Sequence, residues 1–136
     1  MSIDIVSSLP AGTAVYTVGV VLTPGVLTSV PYKGKHIKQR DVVLTSPNTS
    51  IVLTLWGKIA VQFCARRKVV VVRGAWVKEY MGIKNLSLPT SGSYEVEPKG
   101  VQGVEELMAW RTQQEEVDRA KEKQKLMDII SLMVGI

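Results

Sequence analysis

Ile51–Gly82, IVLTLWGKIAVQFCARRKVVVVRGAWVKEYMG, is the stretch whose reading decides the fold. It reads as a strand ending at Trp56, a short amphipathic connector, and a second strand running through Gly74 and Trp76 to Tyr80. Both strands are dense in β-branched residues, which fit a pleated surface. In the first, Ile51, Leu53 and Leu55 share one face and Val52, Thr54 and Trp56 the other. In the second, Val70 and Val72 share a parity, whereas after Gly74 the small apolar residues Ala75 and Val77 take the opposite one. A glycine at such a switch predicts a bulge or sharp bend, as small barrels need at their corners. With Val70, Val72, Ala75 and Val77 inward, the outward set is Val71, Arg73, Trp76, Lys78 and Tyr80. Aromatics and cations sharing an outer face predict a ligand surface.

Several local motifs carry a family resemblance. They are LTLWGKIA at Leu53–Ala60, VVVRGAWVKEYMG at Val70–Gly82, the pairs Leu86–Ser87 and Glu95–Pro98, and KQRD at Lys38–Asp41. Over roughly residues 12 to 110 the chain resembles the OB-folds of the replication protein A large subunit, above all the second of its single-stranded-DNA-binding domains. The resemblance implies an all-β, five-stranded OB-fold barrel, and single-stranded DNA as ligand without strong sequence specificity. Trp56 and Tyr80 fall where the family places its two stacking aromatics. Trp76 stands where the family has a basic residue, so it is either a third stacking platform or is buried under the C-terminal segment. Ser87 falls in the family's leucine-serine strand and would donate a hydrogen bond to a phosphate or base. Trp110 has a family counterpart in the linker after the barrel and reads as a packing or partner anchor.

Length and charge agree with a single barrel. A chain of 136 residues can bury a real core without disulfide staples. The lone Cys64 permits no intrachain disulfide, and one histidine, His36, excludes a multi-histidine metal site; no cofactor is implied. No apolar run approaches a membrane span, and no leader has the charged-then-apolar shape of a signal peptide. These features predict a soluble intracellular protein, in the nucleus if the resemblance extends to location. Residues 1–100 carry 12 Lys/Arg against 5 Asp/Glu, a balance of +7, while residues 101–136 carry 5 against 7, a balance of −2. A basic barrel attracts phosphate backbones. The candidate phosphate contacts are Lys33, Lys35, Lys38 and Arg40, followed by Arg73, Lys78 and Lys84. Arg66–Lys68 reads as a solvated turn.

Taken in order, Met1–Gly12 is a lead-in and Thr13–Thr23 a long curved first strand, apolar on both parities, with Gly19 at its bend. Pro24–Gly34 reads as a loop, Ile37–Thr45 as the second strand and Ser46–Ser50 as a turn. Ile59, Ala60 and Phe63 put one helical face of the connector on the barrel. Tyr80–Asn85 reads as a loop, and the fifth strand, about Leu86–Val96, is interrupted at Pro89–Gly92. Residues 1–100 are thus a barrel domain and 101–136 a helical one.

Val104–Met133 lacks Gly and Pro and is rich in helix formers. A helix of that length spans about 45 Å, more than a small barrel is wide. Either it breaks near Gln113, or it projects and buries Leu126, Met127, Ile129, Ile130, Leu132 and Met133 against a protein partner or a second copy.

Catalysis has little support. There is no Gly-rich phosphate loop joined to a helix, no Cys–His pairing, and no carboxylate cluster in the barrel. The main reading is a single-stranded-DNA-binding module of a multi-subunit complex in replication, recombination, repair or telomere maintenance. RNA stays open, since stacking does not sense the 2′-hydroxyl. The alternative is an adaptor OB-fold that binds protein through its helix and barrel face, with weak or no nucleic-acid binding. An adaptor would bury or cover Trp56 and Tyr80.

Overall fold

The computed structural model describes residues 2–135, so the outermost residues of the two expected regions, 1 and 136, lie outside it. In chain order the elements are α1 (Ile3–Ser7), β1 (Ala14–Pro24), β2 (Thr28–Tyr32), β3 (Lys35–Thr45), β4 (Ser50–Trp56), α2 (Lys58–Gln62), β5 (Val69–Tyr80), β6 (Ile83–Leu88), β7 (Ser93–Val96) and α3 (Val104–Met133). The strands run β1–β3–β4–β6–β5, and β5 pairs back onto β1 to close the sheet. Every pairing is antiparallel except β4 with β6. This is the OB-fold order, with β6 and β7 as the two halves of the interrupted fifth strand. Both halves lie along β5, β6 on Trp76–Tyr80 and β7 on Val70–Arg73.

Gly74 is the bulge the parity switch predicts. Val15 pairs with Ala75 and Tyr16 with Arg73, so Gly74 is skipped, and its φ of +79° is the left-handed conformation glycine adopts freely. Inward residues on either side of it then face one core. Val42, Leu44, Leu53, Leu55, Val70, Val72, Val77, Leu86 and Leu88 are all fully buried there.

Three stretches differ from the sequence reading. Pro24–Gly34 is not a plain loop, because Thr28–Tyr32 pairs with Lys35–Gln39 as a hairpin arm. Lys33 and Gly34 turn it with φ of 48° and 76°, the left-handed pair that matches strand twist, and Pro31 is tolerated because β2 is an edge strand. Tyr80–Asn85 is likewise a tight turn at Met81–Gly82, with β6 starting at Ile83. The lead-in forms α1, whose Ile3 and Val6 are fully buried in the core. A Cβ on Gly19 would stand 3.1 Å from Ile3 Cδ1 and 3.2 Å from Leu44 Cβ, so the glycine lets α1 seat.

α3 is one unbroken helix of 30 residues. Its first turns lie on β1 and β5, burying Val104 and Leu107 with Val18, Val20, Val69 and Val71, and Trp110 packs at the edge of this second cluster. Val71, read as outward-facing, is therefore only 1% exposed, and Trp110, partly buried, packs against the same barrel. Among the described residues beyond Arg111 only Glu115 is even partly buried, so the rest of the helix projects, its apolar end uncovered. Among the described residues no helix is long and apolar enough to cross a membrane.

One ion pair fixes the helix base. The Glu97 carboxylate accepts from the Arg111 guanidinium and, at 3.4 Å, from the Val69 N–H. Burial raises the Glu97 pKa, but the Arg111 bond, the Val69 N–H and the charges of Arg111 and Lys68 outweigh it, so the group sits below its ordinary 4.5. A depressed carboxyl stabilises the fold above its unfolded pKa, and that contribution disappears as pH falls through the lowered value.

Two outcomes are expected. Ile3→Ala should lower unfolding stability by about 2–5 kcal/mol, read from urea midpoints. Acidification below the ordinary Glu97 pKa should raise hydrogen-exchange rates of the Val104–Arg111 amides relative to the barrel, and Glu97→Gln should show that loosening already at neutral pH.

Candidate nucleic-acid interface

Residues opposite one another in a sheet share a face, so the strand register lays out the outer surface of the barrel. Thr28, Gln39 and Trp56 form one row across β2, β3 and β4. Asp41, Thr54, Ser87 and Trp76 form the next, across β3, β4, β6 and β5. Asn85 with Lys78, and Ile83 with Tyr80, continue it toward the end of β5. On the hairpin arm, Tyr32 opposes Lys35 and Val30 opposes Ile37.

This face holds a groove of about 460 Å³ lined by Tyr32, Ile37, Trp56, Trp76, Lys78, Ser87, Pro89 and Thr90. Two hydrogen bonds order the face around it. The indole Nε1–H of half-buried Trp56 donates to Ser87 Oγ at 2.9 Å, which holds the ring in one orientation. The Thr54 hydroxyl donates to Asp41 Oδ1 at 2.7 Å. Trp76 lies in this groove, 43% exposed, and is not buried beneath α3. Lys78 and Tyr80 follow it at alternate positions on β5, so the Trp76 and Tyr80 backbones are about 13 Å apart. Tyr80 is 72% exposed beside the Met81–Gly82 turn.

The seven candidate cations separate by strand parity. Lys78 lines the groove, and Lys33 and Lys35 stand at the arm tip, where Lys33 Nζ is 5.3 Å from the Tyr32 ring centroid. The other four are placed elsewhere. Lys38 points to the opposite face of the arm and donates to Ser29 Oγ at 2.9 Å. Arg40 has the parity of core residues Val42 and Leu44. Its guanidinium is turned inward, donating to the carbonyls of Ala60 at 2.8 Å and Gly25 at 2.9 Å. Arg73 lies before the Gly74 bulge and pairs with Glu95 at 2.6 Å on another side of the barrel. Lys84 donates to the Leu9 carbonyl, tying β6 to the segment after α1.

Four groove residues escaped the sequence reading, Tyr32, Ile37, Pro89 and Thr90, and Tyr32 is the aromatic among them. At 57% exposure it forms the arm-side wall of the groove. The signal available was Tyr-Lys-Gly-Lys, a glycine-bearing hairpin turn flanked by an aromatic and cations. Among the described residues no cluster of three or more His, Cys, Asp or Glu could hold a metal.

Comparison with known proteins agrees with this architecture. Residues 3–97 match the family described as the replication protein A OB domain. Over 97 residues the chain is 35% identical to the replication protein A 70 kDa DNA-binding subunit of Drosophila melanogaster, covering 68% of this chain but only 16% of that protein. A replication protein A heterotrimer solved bound to single-stranded DNA superposes with a TM-score of 0.75 at 23% identity, covering 83% of this chain and 28% of that one. The second OB-fold domain of replication protein A from Methanococcus maripaludis superposes with a TM-score of 0.58 at 18% identity, over 75% of this chain and 100% of that domain. Of these, the Drosophila subunit is named for DNA binding and the heterotrimer was solved with single-stranded DNA bound. Since the matched segment, residues 3–97, contains every strand of the closed sheet, the chain belongs to the replication protein A OB-domain family.

Proposed function

We propose that this protein binds single-stranded DNA along the groove, without strong sequence preference. One observation carries the reading: Trp56, Trp76 and Tyr32 converge on one open groove with Lys78, and Lys33 and Lys35 stand at its rim. Bases need flat π-faces, worth roughly 1–3 kcal/mol each, and phosphates need a cationic track. Trp56 is the primary platform, because its bond to Ser87 fixes the ring before ligand arrives. Trp76 and Tyr32 are the walls, and Tyr80 takes a base further along β5. Lys78, Lys33 and Lys35 neutralise phosphates, and Ser87, whose own proton is not used in the Trp56 bond, donates to a phosphate or base.

The similarity to a subunit named for DNA binding supports this assignment, and the chain's own residues leave Tyr80 exposed for a base. By the same resemblance the chain acts in the nucleus, in replication, recombination, repair or telomere maintenance, as one component of a multi-subunit complex. The projecting end of α3, with Leu126, Met127, Ile129, Ile130 and Met133 exposed, is its protein-contact surface.

Fluorescence anisotropy with labelled poly-dT should give micromolar or tighter binding. Trp56→Ala should weaken it at least about tenfold and Tyr32→Ala about fivefold or more, as expected for lost base stacks. Equal, feeble binding by wild type and Trp56→Ala would favour the adaptor. With three lysines on phosphates, the log–log salt slope should be about −2, against about −3.5 for five contacts.

A further inference from the structure

We propose that Asp41, Thr54 and Ser87 read the Watson–Crick edge of one base of the bound strand and select guanine at that position. This rests on the single-stranded-DNA reading of the groove and names a preference within it. The three side chains stand side by side on the outer face of β3, β4 and β6, in the row that ends at Trp76. Backbones along the row are about 4.8 Å apart, so neighbouring side chains fall within reach of one base. The Gly25 N–H donates to the Asp41 carbonyl at 2.7 Å, which fixes the main chain at one end of the row. A phosphate track does not explain Asp41. Its side chain is exposed, and among the described residues it pairs with no lysine, arginine or histidine. The row itself holds no cation; Lys78 lies in the next row on β5, and Lys33 and Lys35 at the arm tip. A carboxylate repels phosphate. A strand held by those lysines therefore keeps its phosphates off the row and turns base edges toward it.

Hydrogen bonds already made in the row decide what such an edge must offer. The Thr54 hydroxyl spends its proton on Asp41 Oδ1 at 2.7 Å, so its oxygen is left to accept. Ser87 Oγ accepts from the Trp56 indole at 2.9 Å, and its own proton is left to donate. The ionised Asp41 carboxylate can only accept. From β6 to β3 the row therefore reads donor, acceptor, acceptor. Guanine carries the complement on one edge: the O6 acceptor, then the N1–H and 2-amino donors. Adenine and cytosine set a ring-nitrogen acceptor against Thr54, and thymine sets a carbonyl oxygen against the carboxylate. The Trp56 indole, tied to Ser87, reaches toward this row, so a base stacked on it brings its edge there. The rest of the strand is held by stacking that tolerates any base, so the preference is confined to one position.

The test is fluorescence anisotropy on the full chain with labelled thymidine oligomers of about 12 nucleotides, one carrying a single central guanine. The guanine oligomer should bind about five- to tenfold tighter than the all-thymine one. Inosine in its place, which lacks only the 2-amino group, should lose most of that gain, and adenine or cytosine all of it. Asp41→Asn should abolish the preference and tighten the all-thymine oligomer at least about twofold, since the repelling charge is gone. Equal wild-type affinity for the guanine and thymine oligomers overturns the readout and leaves the groove a single-stranded-DNA site. So does a gain shared by adenine, which reports purine stacking alone, or a guanine preference that survives Asp41→Asn. Asp41→Asn weakening both oligomers alike makes Asp41 a brace for Thr54 and overturns the readout as well. Absence of binding to every oligomer overturns both the readout and the DNA assignment.

Discussion

The fold turns on a conflict within β5 that one residue resolves. The strand must feed a single core along its whole length, yet its outer face meets two different environments. Before Gly74 that outer face carries Val69 and Val71, buried beneath α3, and after it Trp76, Lys78 and Tyr80, which face solvent. A regular strand cannot change which parity it turns inward. The extra residue at Gly74 makes the change, at a φ of +79° that any side chain would resist. The flip places Arg73 apart from the groove and Trp76 inside it. Helix docking and ligand surface are therefore partitioned along one strand, and the groove lining shares no residue with the cluster under α3.

Cation chemistry follows the same geometry. Arg40 and Lys84 spend their donors on main-chain carbonyls, joining β3 to α2 and β6 to the segment after α1. A guanidinium suits that role, because its rigid fork reaches two acceptors at once and stays charged when partly buried. The groove keeps lysines, whose flexible stems can follow a mobile phosphate chain. Net positive charge on the barrel thus overstates its cationic lining.

Much of this was legible in the sequence because burial alternates with period two. Ile51, Leu53 and Leu55 announced β4, the parity switch announced the Gly74 bulge, and the absence of Gly and Pro announced α3 with the bounds observed. What escaped was contact between distant segments. Val71 looks solvent-facing by parity, and only the return of α3 makes it core. Arg40 reads as a phosphate ligand until Ala60 and Gly25 are brought beside it. Tyr32 was lost because Pro24, Gly25 and Pro31 suggested a loop, although an edge strand tolerates proline. The stacking roles came from resemblance, since periodicity shows that Trp56 faces outward but not what covers it.

The position of α3 bears on how the groove could be used. Its footprint is on Val18, Val20, Val69 and Val71, while the groove runs from the hairpin arm across β4 and β6 to the far end of β5. The docked helix therefore leaves the groove open along its length. The ion pair between Glu97 and Arg111 holds the helix base to the segment after β7, so the helix leaves the barrel from the side that carries Val69 and Val71 and not from the side that carries Trp56 and Trp76. One barrel thus offers two surfaces that do not compete, because the residues that seat the helix are not the residues that line the groove.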